Sequence, residues 1–75
     1  MTITITLPEG YDFSTADECA LHMQDAVEAK ERIFKPKVEH GILKKEVAEH
    51  KLHLYRSISG VLDAVLAAME EVHRG

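Results

Sequence analysis

Five of the 75 residues are histidines, and two of their neighbourhoods have ligand spacing. Glu70-Glu71-Val72-His73 contains a Glu-x-x-His step, which sets a carboxylate and an imidazole on one helical face, as in carboxylate-bridged di-metal bundles. His50 and His53 are also three apart, with Glu49 four before His53. A di-metal site needs further carboxylates aimed inward from other helices, and a helix end frays. His50 and His53 sit among Glu46, Glu49 and Lys51, where a solvated face is the ordinary explanation. Ligand spacing without a closed constellation is a weak signal, so no metal is expected. Cys19 lies near a helix start that could lower its pKa. It also lies on an apolar stripe, where a free cysteine acts as a small buried hydrophobe. The glycines at 10, 41, 60 and 75 form no phosphate loop, and no Ser–His–acid set can be read. Neither an enzyme nor a cofactor is expected.

Charge is the better lead. The net charge is −4, yet residues 30–56 carry a balance of +4 and the remainder −8. Lys44 and Lys45 open a helix and Glu70 and Glu71 close it, each the wrong sign for the macrodipole. Such misplacement costs tenths of a kcal/mol, and it suggests charge placed for something outside the chain. Lys35, Lys37, Lys44, Lys45, Lys51 and Arg56 are therefore the candidate partner-binding residues. An acidic protein surface, or the acidic end of another copy, fits them better than nucleic acid, because the whole chain is acidic. Nucleic acid or a nucleotide, bound with counterion release, is the alternative. A plain solvated face is the bland reading.

The elements that must position these residues are few. Thr2, Thr4 and Thr6 alternate with Ile3, Ile5 and Leu7, a period of two that predicts a strand over 2–7. Pro8-Glu9-Gly10 is a turn signal. Thr15 with Glu18 has capping-box spacing, so helix 1 is expected over about 15–40. Its apolar residues are Cys19, Ala20, Met23, Ala26, Val27, Ile33 and Phe34, with Lys30 lying along the stripe and its ammonium in water. Pro36 should kink this helix, and Gly41 suits the position just past its end. Helix 2 is expected over about 44–73. It carries two apolar seams, Ile58-Leu62-Val65-Met69-Val72 and Leu54-Ile58-Val61-Val65-Ala68-Val72, a doubled stripe wider than one narrow helix covers. Ser57, Ser59 and Gly60 mark either a tight helix crossing or a neutral surface.

Seventy-five residues make one domain over 1–75, and so short a chain is marginal without disulfides, metal or association. Cys19 is the only cysteine, which fits a reducing cytoplasm. The N-terminus does not read as a targeting segment, and no apolar run is long enough for a membrane span. The predicted architecture is mainly α: an antiparallel two-helix hairpin with one N-terminal strand, completed by homo-oligomerisation, a dimer being favoured. Ile3, Ile5, Leu7, Ile58, Leu62, Val65 and Met69 are the candidate oligomer interface. The strand either pairs with its copy across a two-fold axis, pairs locally with Gly10–Phe13, or frays.

The stretch Glu31–Leu43, followed by Ala48–Leu54, resembles small helical proteins of phages and prophages in proteobacteria. The matching positions are Arg32, the aromatic Phe34, Pro36, Val38, Gly41, Leu43, Ala48, Glu49, Leu52 and Leu54. Ile42 stands where that pattern has Lys, and His50-Lys51 where it has Arg-Glu. The resemblance covers about residues 31–66 and implies a helical hairpin with a helix passing through Pro36. Small phage proteins often act by stoichiometric binding to a host protein. The expected function is accordingly a non-enzymatic inhibitor or regulator that binds a host or phage protein.

Overall fold

The computed structural model describes residue 2 and residues 4–74, the side chains of 73 and 74 excepted. Two helices, α1 (Phe13–Glu39) and α2 (Lys45–Arg74), pack as a hairpin. The expected boundaries of α2 hold to within one residue, the usual scatter at a helix end.

α1 starts earlier than the Thr15–Glu18 spacing predicts. Asp12 is the N-cap, and its Oδ1 accepts from the Thr15 backbone N–H at 2.8 Å. Thr15 is thus the residue capped, while its hydroxyl leans toward the Gly10 carbonyl at 3.4 Å. The earlier start puts Phe13 inside the helix, where it lines a groove with Met69 of α2. The helix then runs through Pro36 to Glu39. Pro36 leaves the Arg32 carbonyl without its usual donor, and both residues are exposed, so water can satisfy it.

The end of α1 is closed by Gly41, whose φ of +71° only glycine adopts freely. The Gly41 N–H donates to the Val38 carbonyl at 3.1 Å and the Ile42 N–H to the Lys37 carbonyl at 2.9 Å. Those two bonds are the Schellman pair. The apolar contact that often accompanies the motif is absent, because its inner position is Lys37 and Ile42 is left 75% exposed.

The residues of α1 that recede from solvent include Ala16, Ala20, Met23, Val27, Lys30 and Phe34, stepping by four and three. Those of α2 include Ala48, Leu52, Tyr55, Ser59, Leu62 and Leu66, with the same steps. The two rows form the hairpin's single interface. It is thin: Ala16, Ala20, Phe34 and Ala48 are the buried apolar residues among those described, and three of the four are alanine. The accessible surface is 6073 Å², whereas a compact monomer of 8.4 kDa is expected to expose about 4600 Å². The Cα radius of gyration is 15.8 Å, against about 11 Å for a compact chain of this length.

The strand expected over 2–7 is not formed: the described residues contain no strand. A strand needs a neighbouring edge for its N–H and C=O groups, and two helices offer none. Residues 2 and 4–10 make an exposed arm instead, ending in a turn where the Tyr11 N–H donates to the Pro8 carbonyl at 3.1 Å. Ile3, assigned to the strand and to an interface, lies outside the described residues.

Two comparisons test this local chemistry. Asp12→Ala should lower the melting temperature at pH 7 by about 4–8 °C. The Thr15 hydrogen bonds hold the Asp12 carboxyl below its usual 3.8, so its contribution is present above the unfolded pKa and lost as pH falls through the folded one. The gap between wild type and variant should therefore close in strong acid. Gly60 has no atom within 4 Å of an added Cβ and an ordinary helical φ, whereas Gly41 has the positive φ. Gly60→Ala should stabilise by about 0.5–1 kcal/mol and Gly41→Ala should destabilise by at least as much, as read by thermal melts.

Candidate interaction site

α2 carries more apolar surface than α1 can cover. Beside its packed row runs a second one, turned about 100° around the helix, at Leu54, Ile58, Val61, Val65, Ala68 and Val72. Leu54, Ile58, Val61 and Val72 are 48%, 50%, 58% and 81% exposed. This row follows the second of the two seams legible in the sequence. The first seam mixed the two rows: Leu62 and Met69 are half-buried on the packed side, while Ile58 and Val72 are exposed. Burying an aliphatic side chain is worth roughly 1.5–3 kcal/mol, so an open row of this length forgoes an amount comparable with a small domain's whole stability.

The open row ends in two different grooves. Toward the C-terminus of α2, the arm residues Ile5 and Leu7 approach Phe13, Val65, Ala68, Met69 and Val72 around an apolar groove of about 460 Å³. Toward the hairpin tip, Lys30, Lys37 and Lys51 surround Phe34, Leu54, Tyr55 and Ile58 in a groove of about 550 Å³ that contains no acid. Lys30, read from the sequence as a stem with its charge in water, places its Nζ 5.7 Å from the Tyr55 ring centroid. That is a cation–π distance.

Five of the six basic residues predicted to bind a partner fall into two groups. On one side Arg56 is bonded to Glu31 at 2.7 Å, Lys45 lies 4.0 Å from Glu49, and Lys35 shares a groove with Glu31, Glu39 and Glu49. On the other side Lys37 and Lys51 line the acid-free groove. Lys44 is exposed just ahead of α2. Sequence reasoning missed Lys30 and Tyr55 as members of that groove. The available signal was that Lys30 stands two helical turns before Lys37, on one face.

Among the described residues no group of three His, Cys, Asp or Glu side chains is placed to hold a metal. The side chain of His73, half of the Glu-x-x-His pair, lies outside them. Cys19 is half-buried near Tyr11, whose hydroxyl is shielded from solvent and meets no hydrogen-bond geometry. That shielding, followed by the neighbouring Cys19 thiol, raises the Tyr11 pKa above 10.0. Among the described residues no helix is long and apolar enough to cross a membrane. No protein-family model matches the chain, and no curated protein or solved structure is significantly similar to it.

Polar and apolar contacts between the helices should differ sharply in weight. The Arg56–Glu31 pair is solvated, at 59% and 43% side-chain exposure, so Arg56→Ala should cost under about 1 kcal/mol, less in high salt. Phe34 is 8% exposed, and Phe34→Ala should cost about 3 kcal/mol or more. Urea melts at two salt concentrations measure both.

Proposed function

We propose that this chain is a non-enzymatic interaction protein that works by stoichiometric association, first with copies of itself and then with a protein partner. The observation that carries this reading is the open apolar row on α2, set beside a core of four buried residues among those described. A surface so large and so poorly covered marks a place where another chain belongs. The resemblance to small phage and prophage proteins directs the search for a partner to host and phage proteins in the host cytoplasm, with inhibition or regulation as the outcome.

The hairpin tip is the partner-binding end in this reading. It combines Lys37, Lys44 and Lys51 with the exposed Ile42, a mixture of positive charge and apolar surface that suits an acidic protein face. A second reading rests on the acid-free groove: its lysines beside Phe34 and Tyr55 could take a nucleic-acid strand by charge and stacking.

Charge reversal separates the two sides of the tip. Lys37→Glu with Lys51→Glu should abolish capture of the partner while leaving helicity intact, whereas Lys35→Glu with Lys45→Glu should affect it little. Pull-down from host and phage-infected lysates, read by mass spectrometry, is the measurement, and equal capture by both double variants removes the groove side from the site. Salt-sensitive DNA or RNA retention in filter binding would transfer the tip to the nucleic-acid reading.

A further inference from the structure

The open row of α2 reads the same from both ends. Residues 54, 58, 61, 65, 68 and 72 are spaced four, three, four, three and four, symmetrically about position 63. Two copies of α2 laid antiparallel, with a two-fold axis at the level of position 63 between Val61 and Val65, therefore match row against row. Leu54 meets Val72 of the partner subunit, Ile58 meets Ala68 of the partner subunit, and Val61 meets Val65 of the partner subunit.

Two independent features fit that arrangement. The large exposed side chains, Leu54 and Ile58, fall on the partner's apolar groove, whose small floor residue is the partner's Ala68 and whose walls include the partner's Ile5 and the partner's Leu7. The flank of the row that points away from α1 carries Ser57 and Ala64, small enough to let two helices approach. The surface excess supports the same occupant: the 6073 Å² exposed exceeds the compact-monomer expectation by about 1500 Å². A standard interface takes about 800 Å² from each partner.

We infer that the occupant of this face is a second copy of the chain, held antiparallel about the Val61–Val65 midpoint of the row, with each N-terminal arm clasping the other copy's Leu54 and Ile58. This rests on the self-association reading above and gives it an orientation, a register and a role for the arm. In this dimer the tip residues 37–47 project past the partner's C-terminus and stay open to a third molecule.

Disulfide trapping in a Cys19→Ala background tests the register. Ala64→Cys sits beside the axis, next to its own copy, and should give a covalent dimer under mild oxidation. Ile58→Cys alone should not, since the two thiols would stand about 15 Å apart along the helices, while Ile58→Cys combined with Ala68→Cys should cross-link. Ile5→Ala with Leu7→Ala should weaken the dimer about tenfold, measured by sedimentation equilibrium, with circular dichroism reporting the fold of every variant. A monomeric wild type at about 50 micromolar, or cross-linking of Ile58→Cys without Ala64→Cys, overturns the inference, and an undiminished dimer constant in the arm variant removes the clasp. A monomer that still captures a protein partner would sink the second copy alone. A parallel cross-link would sink the register and leave self-association standing.

Discussion

The structure turns on a mismatch of widths. α2 presents two adjacent apolar rows, and α1 covers one. Among the described residues three of the four buried ones are alanine, so the helices approach closely yet remove little surface from water. Hydrophobic stabilisation scales with that area, and ordering each residue costs roughly 1–2 kcal/mol of backbone entropy. A two-helix hairpin with so small a core is a half-structure in energetic terms, and the open row is the largest reserve of burial left to it.

Charge follows the same logic. Lysines at the start of α2 and glutamates at its end each oppose the helix dipole within their own chain. In the proposed antiparallel register those lysines lie past the partner's C-terminus, so their cost is not offset between the two copies and their charge stays open to a third molecule. The ion pairs Arg56–Glu31 and Lys45–Glu49 lie on the far side. The face that keeps its lysines unaccompanied by acids is the face that also carries the open apolar row.

Much of this was legible in the residues, for identifiable reasons. The long period of α2 located it to within a residue, and Gly41 marked the end of α1 because its position demands a positive φ. The start of α1 was set too late by the Thr15–Glu18 spacing, because the cap that forms is Asp12, whose carboxylate accepts from the Thr15 N–H. Phe13 joins the Met69 groove when the helix begins early. The Thr/Ile alternation of the arm has the period of a strand, but pairing is a property of two edges, and this chain provides one. The sidedness of the lysines was hidden for a related reason. Which acids neutralise which bases depends on contacts between α1 and α2, such as Glu31 with Arg56, that lie 25 residues apart.

Thermal unfolding across a range of protein concentrations measures the central dependence directly. If burial between copies completes the fold, the melting temperature must rise with concentration, by several degrees over about a hundredfold range. A melting temperature that stays constant over that range would show the solitary hairpin to be self-sufficient and would contradict the dependence on a second chain.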